Sequence, residues 1–181
     1  GTDKTVVDSA RVSFSKRTQW AKNIPATGIY ELSDKDKKLI NYLATHEHWS
    51  PFGHCSLSVH IGAPVFVAHQ LVKHTVGLCW NEVSRRYVDH PPEFYHPEEW
   101  RGRPVDKKQG SSDETIAWLS REERVGGAVR KSTRHAAELY QRMIDAGVSP
   151  EQARMVLPQS MMTEWYWSGT VYAFARVCNL R

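Results

Sequence analysis

Gln70-Leu71-Val72-Lys73-His74-Thr75-Val76-Gly77-Leu78-Cys79-Trp80-Asn81-Glu82-Val83-Ser84-Arg85-Arg86-Tyr87 is the stretch around which this chain is organised. Its first part follows Pro64 and a run of mixed apolar and polar residues, a pattern that predicts a helix entered through proline at its first position. On such a helix Gln70, Lys73 and His74 fall at i, i+3 and i+4 and share one face. Gly77 then breaks the pattern, and Asn81, Glu82, Ser84, Arg85 and Arg86 crowd into six residues, which predicts a loop. Val76, Leu78, Trp80 and Val83 give that loop apolar anchors. An amide, an ammonium, an imidazole, a hydroxyl and two guanidiniums along one short piece of chain suit a small anionic ligand, because arginine offers a planar fork to phosphate. The same residues read blandly are a solvated surface loop.

Outward from this stretch, Cys55, Leu57, Val59 and Ile61 alternate with Ser56, Ser58 and His60, a period-two strand closed by Gly62-Ala63-Pro64. Upstream, Ser33-Asp34-Lys35-Asp36 is a capping-box-like start, and Leu39, Ile40 and Leu43 form the apolar stripe of a helix to about Ala44. Thr5–Phe14 starts with short apolar pieces and ends in Ala10-Arg11-Val12-Ser13, whose Arg11 and Ser13 read as surface residues. Residues 15–32 read as a loop. Downstream, Pro91, Pro92, Pro97 and Pro104 mark an irregular segment over 88–112, in which Lys107-Lys108-Gln109-Gly110-Ser111-Ser112 is expected at the surface, as a mobile segment or as a lid over a nucleotide. Residues 113–146 read as mainly helical, broken at Gly126-Gly127, with Val129, Ala136, Tyr140 and Met143 as the stripe and Ala146-Gly147 as the cap. Ser149-Pro150-Glu151-Gln152 opens a short helix carrying Arg154. Met161–Trp167 predicts a strand with its Trp-Tyr-Trp cluster in the core, Ser168-Gly169 a turn, and 170–181 a helix. Helices flanking few strands define an α+β fold.

With 181 residues, 40% of them hydrophobic and 24% charged, the chain reads as one globular domain with its own core. No apolar run approaches the roughly 18–20 residues of a membrane span, and no signal peptide opens the chain. Cys55, Cys79 and Cys178 lack metal spacing and read as reduced thiols of a cytoplasmic protein, Cys79 as a buried, inert one. His46, His48 and His54 invite a metal reading. Positions 46 and 48 point to different sides of a helix and no third ligand has the usual spacing, so no metal is expected, and a hydrogen-bonded core role is open for His54. The net charge of +4 and pI near 9.0 favour an anionic partner. Basic pairs at 85–86 and 107–108 lie among acids and carry no recognition-helix or stacking motif, so neither nucleic acid nor membrane is the expected partner.

Lys73-His74-Thr75, Ser84 downstream and then Arg86-Tyr87 resemble the signature of the flavin-dependent thymidylate synthases, normally Arg-His-Arg-x7-Ser in an Asn-Glu-x-Ser-x-Arg-Tyr frame. Ala10-Arg11-Val12-Ser13, Ser50-Pro51-Phe52-Gly53-His54, Arg154-Met155-Val156-Leu157-Pro158 and Asn179-Leu180-Arg181 match in the same order, so the resemblance spans nearly the whole chain. It implies a small, mostly antiparallel sheet flanked by helices, a single domain over 1–181 lacking a short N-terminal strand and a C-terminal segment, and a homotetramer whose active sites are shared between subunits.

The implied reaction is reductive methylation of dUMP to dTMP, with methylenetetrahydrofolate as carbon donor and FAD, recharged by NADPH, as hydride donor. The protein then supplies binding, orientation and electrostatics. By the same resemblance Arg181 faces the base, Lys73 sits between nucleotide and flavin, and Ser84 is a phosphate ligand rather than a nucleophile. These three are the candidate catalytic residues. Gln70, Lys73, Glu82, Ser84, Arg86, Arg154 and Arg181 are the candidate dUMP contacts, Arg154 from a neighbouring subunit. Ser13, His48, Ser50, His74, Thr75, Thr170 and Arg176 are the candidate FAD contacts. The chain departs from the signature at Lys73, Thr75, Gly53, Thr170, Tyr172 and Arg176, where the family often has Arg, Arg, Glu, Asn, Arg and Asn. Arg176 is a candidate to restore the charge lost at Thr75. A UMP/dUMP C5-methylase or hydroxymethylase on the same fold, and a nucleotide- or nucleic-acid-binding protein without catalysis, stay open as alternatives.

Overall fold

The computed structural model describes residues 1–106 and 110–181. The expected surface segment at 107–112 lies outside the described residues at Lys107-Lys108-Gln109. In chain order the elements are α1 (Asp3–Arg11), β1 (Lys22–Ile24), β2 (Ile29–Glu31), α2 (Asp34–Thr45), α3 (Ser50–Gly53), β3 (Ser56–Pro64), α4 (Val65–Leu71), β4 (Leu78–Glu82), α5 (Val125–Asp145), α6 (Pro150–Ala153), β5 (Met162–Thr170) and α7 (Val171–Leu180). This is an α+β chain with two small sheets, the β1-β2 hairpin and a three-stranded sheet of order β3-β5-β4. Ser58 lies opposite Ser168 and His60 opposite Tyr166, so β3 and β5 run antiparallel. Thr170 N–H bonds to the Gly77 carbonyl and Val83 N–H to that of Glu164, which sets β4 antiparallel to β5 as well.

The chain divides into two compact units. The first comprises Gly1–Ile61, Val72–Asn81 and Tyr166–Arg181. Its core is Val6, Leu43 and Cys55, with Ala10, Leu39, Ile40, Phe52 and Val171 packed around them. The positions follow from helical spacing: Val6 and Ala10 are four apart on α1, and Leu39 and Leu43 four apart on α2. Ser33 starts α2 as expected, its hydroxyl accepting the Asp36 N–H at 3.2 Å. Arg11 is no free surface residue. It pairs with Asp36 at 2.5 Å and donates to Thr18 Oγ1 at 2.5 Å, and Asp36 and Thr18 are both buried. A second apolar cluster joins Trp80, Trp167 and Phe174.

The second unit comprises Gly62–Leu71 and Glu82–Trp165. Along α5, buried Val125, Thr133 and Tyr140 and half-buried Val129, Ala136 and Met143 form the expected stripe. Gly147, at φ +86°, ends the helix as anticipated, with Val148 N–H reaching back to the Met143 carbonyl. His96 Nε2 lies 3.1 Å from Thr133 Oγ1 and ties the irregular segment to α5.

Several expectations are overturned. α4 ends at Leu71, so Lys73 and His74 lie in the turn beyond it and do not share a helix face with Gln70. The chain after Gly77 is not loop at first: Asn81 and Glu82 end strand β4, with their side chains on opposite faces. A β-hairpin sits within 15–32, paired Lys22 to Glu31 and turned at Gly28 (φ +65°). Residues 113–124 are not helical; bridges from Thr115 to Arg101 and from Trp118 to Arg124 hold them. Gly126 and Gly127 sit in the first turn of α5 and do not break it. Ser168 and Gly169 continue β5, because only a residue without Cβ tolerates the approach of Gly77: an added Cβ at 169 would lie 2.4 Å from the Gly77 oxygen. The Ser149 side chain makes no cap bond, its carbonyl taking the Gln152 and Ala153 N–H groups, and Arg154 starts the 3-10 turn that follows α6. His54 and Cys79 are exposed, and of the aromatic triplet Trp165 and Trp167 are buried while Tyr166 is 60% exposed. Among the described residues no helix is long and apolar enough to cross a membrane.

Candidate functional site

The sequence-predicted residues fall into two groups, one in each unit. In the first unit a cleft of about 620 Å³ is walled by the turn Lys73–Gly77 on one side and by α7 on the other. Its position is set by local chemistry. Gly77, at φ +74°, turns the chain into β4. Thr170 caps α7, its hydroxyl accepting the Ala173 N–H at 3.1 Å. Lys73, His74, Thr75, Thr170 and Arg176 all line this cleft. Arg181 Nε donates to His74 Nε2 across 3.2 Å, which leaves the His74 ring proton to Nδ1 and brings the last residue of the chain onto the signature histidine. A second cleft of about 460 Å³ adjoins it and is lined by His48 and again by Arg176. Trp49, Tyr172 and Leu180 line both clefts. Ser50 opens α3 without lining either cleft, and Ser13 is exposed in the 3-10 turn after α1, between exposed Val12 and Phe14.

In the second unit a cleft of about 700 Å³ is lined by Glu82, Arg85 and Arg154 together with His69, His90 and Glu93. Thr163 Oγ1 donates to Glu82 Oε1 at 2.7 Å, and Arg154 Nε donates to the Glu151 carbonyl at 3.1 Å, so both charged groups are oriented by neighbours. Ser84 and Arg86 face each other: Ser84 Oγ accepts from Arg86 Nε at 3.3 Å, and the Arg86 guanidinium lies 5.1 Å from the Tyr87 ring centre. Neither lines this cleft. Gln70 is exposed in the last turn of α4.

Two features of the site were placed only by the structure. Arg85, which the signature leaves as an unspecified position, is buried and donates to the His90 carbonyl from within the second unit's cleft. Its only sequence signal was a second arginine beside Arg86. Trp49, whose ring packs 5.5 Å from that of Tyr172, carried no signal beyond being aromatic, and Tyr172 was noted only as a departure from the signature. The spacing also differs from the signature. Eight residues, Val76 through Val83, separate Thr75 from Ser84, where the signature has seven. No group of three or more His, Cys, Asp or Glu among the described residues is placed to hold a metal ion.

The first unit's cleft fits a flavin in its chemistry: flat aromatic side chains, cations at Lys73 and Arg176, and apolar lining from Leu78, Ala173 and Val177. Comparison with known proteins identifies the family. The family model described as thymidylate synthase complementing protein matches residues 1–181. The chain is 34% identical over 181 residues to the flavin-dependent thymidylate synthase of Thermosipho melanesiensis, across all of this chain and 72% of that one. It is 35% identical over 184 residues to that of Kosmotoga olearia, again across all of this chain and 72% of the relative. Among solved structures, the UMP/dUMP methylase PolB from Streptomyces cacaoi bound with 5-Br dUMP superposes with a TM-score of 0.69 at 31% identity, over 96% of this chain and 70% of that one. The chain belongs to the flavin-dependent thymidylate synthase family.

Proposed function

We propose that the protein methylates dUMP reductively at C5 to give dTMP, taking the carbon from methylenetetrahydrofolate and the hydride from FAD that NADPH has reduced. The observation that carries this reading is the convergence of Lys73, His74, Thr75, Thr170 and Arg176 on one cleft with Arg181 bonded to His74. Lys73 and Arg176 supply positive charge to the cofactor's phosphates, and Thr170, His74 and Thr75 supply polar contacts along its length. When bound, FAD supplies the hydride chemistry. Arg181, held on His74, is the guanidinium offered to the pyrimidine, where it favours negative charge on the ring and so makes C5 nucleophilic. Glu82, Ser84, Arg86, Arg154 and Gln70 are the nucleotide contacts, with Arg154 and Arg86 suited to phosphate. His48, Ser50 and Ser13 extend the cofactor contacts.

The functional assembly in this reading is a homotetramer of single-domain chains with active sites shared between subunits, working in the cytoplasm, where its three free cysteines stay reduced. The test is product analysis with tritium at C5 of the nucleotide, in the presence of FAD, NADPH and methylenetetrahydrofolate. Tritium release and dTMP from dUMP are expected, with Arg181→Ala abolishing both. Turnover of UMP in place of dUMP, or none of either nucleotide, would overturn the reading. Light scattering that finds a fully active monomer would remove the shared-site arrangement.

A further inference from the structure

Trp49 is 56% exposed, a large apolar surface to leave in water, and it faces the two adjoining clefts of the first unit. Its ring packs against Tyr172 with centres 5.5 Å apart and planes tilted by 35°. The Arg176 guanidinium lies 6.0 Å from the Tyr172 ring centre. All three side chains line both clefts, so together they form the wall between them. The arrangement follows from the chain. Trp49 immediately precedes α3, and Gly53, four residues on, lies beside its ring, where a Cβ would stand 3.7 Å from the indole. Tyr172 and Arg176 are four apart on α7 and therefore share its cleft-facing side.

Two neighbouring aromatic rings, with a cation over the Tyr172 ring, make a stacking surface for a flat heteroaromatic ring that carries an anionic tail. We propose that Trp49 and Tyr172 are cofactor-binding residues that stack a heteroaromatic ring of FAD, and that Arg176 pairs with its phosphates. The inference rests on the FAD reading above and extends it to two side chains. FAD offers two such rings, flavin and adenine, and both have the required chemistry.

The test is binding, independent of turnover. The full chain is titrated with FAD, riboflavin and ADP, and both protein tryptophan emission and ligand emission are followed. Trp49→Leu and Tyr172→Leu are each expected to weaken FAD about tenfold, in line with the loss of one base–aromatic stack. Trp49→Phe and Tyr172→Phe, which keep a ring, retain most of the affinity. Arg176→Gln weakens FAD and ADP and leaves riboflavin unchanged. Riboflavin weakened by the leucine variants places the flavin ring on the wall; ADP weakened instead places the adenine there. Wild-type protein that binds FAD with the leucine variants binding it equally well overturns the proposal and leaves the FAD reading standing. Wild-type protein that binds no FAD overturns both.

Discussion

Replacing Gly169 with alanine probes a close backbone approach in the first unit. The added methyl would lie 2.4 Å from the Gly77 carbonyl oxygen, 2.6 Å from Leu78 Cδ2 and 3.3 Å from Leu78 Cα. Carbon and oxygen in non-bonded contact ordinarily stand about 3.3 Å or more apart, so β5 and the turn before β4 must separate by roughly 0.9 Å. Leu78 can rotate its side chain away. The Gly77 carbonyl cannot yield so easily, because it belongs to a left-handed residue at φ +74° and accepts the Thr170 N–H at 3.4 Å. Overpacking of this kind costs about 1–3 kcal/mol, and a backbone obstacle puts this case in the upper half. The stiffer unfolded chain of the alanine variant offsets about 0.4–1 kcal/mol. The net loss is then about 2 kcal/mol, and a protein of this size should melt about 4–8 °C lower. Differential scanning calorimetry of the two proteins side by side measures it. A variant melting within a degree of the parent would refute the close approach. The same variant should bind FAD more weakly, since Thr170, the next residue, caps the helix that carries Tyr172 and Arg176.

Asp36→Asn removes the charge that holds Arg11 at 2.5 Å from a carboxylate only 4% exposed. Breaking such a pair from one side should cost about 3 kcal/mol, read as a lower urea midpoint with unchanged slope; an unchanged midpoint would show that Ser33 and Thr18 suffice to hold α1 and α2. Burial alone would raise the pKa of Asp8, but the hydrogen bonds from Lys4 and from the Thr18 N–H outweigh it and leave the carboxyl below its ordinary value. Its contribution to stability is therefore complete above about pH 4 and is lost as pH falls through the lower folded-state value. Acid titration of Asp8→Asn should show a shallower loss of stability below about pH 4 than the parent, and parallel curves would refute the assignment.

Elements whose signals are local were legible. The Ser33 cap, a strand over residues 56–61, the stripe on α5 and the Gly147 cap each depend on a few neighbouring residues and appear as expected. Elements decided by partners distant in sequence were not. Nothing within Gln70–Thr75 announces that the helix stops at Leu71. Gly169 reads as a turn residue in isolation, and only the presence of Gly77 beside it explains a glycine inside β5. Arg11 reads as surface until Asp36, 25 positions later, is brought against it. At the site, the signature residues were found by type, yet their grouping followed the strands, with Lys73, His74 and Thr75 on one cleft and Glu82 on another. The burial of Arg85 and the stacking of Trp49 were missed because they are properties of the folded chain alone.

The extra residue in the signature shows how these levels meet. On β4, Leu78 and Trp80 point inward, Trp80 onto Trp167, while Cys79 and Asn81 are exposed. A one-residue change inside the strand would reverse that order and expel Trp80 from its cluster. The spacer can lengthen without such a slip only outside the strand, and the turn before it has the means: Val76 is 81% exposed and Gly77 takes a left-handed conformation. That turn is also a wall of the cleft that Tyr172 and Arg176 line. Spacing and side chains therefore depart from the signature at one place, the first unit's cleft, whereas Glu82, Ser84, Arg86 and Arg154 keep the signature in the second. Under the function proposed above, a flavin and a nucleotide differ in what they demand. Flat rings joined by phosphates can be gripped by any surface that offers stacking and charge. A nucleotide whose C5 must meet an incoming carbon has to be held in one orientation, and orientation fixes which side chains can serve.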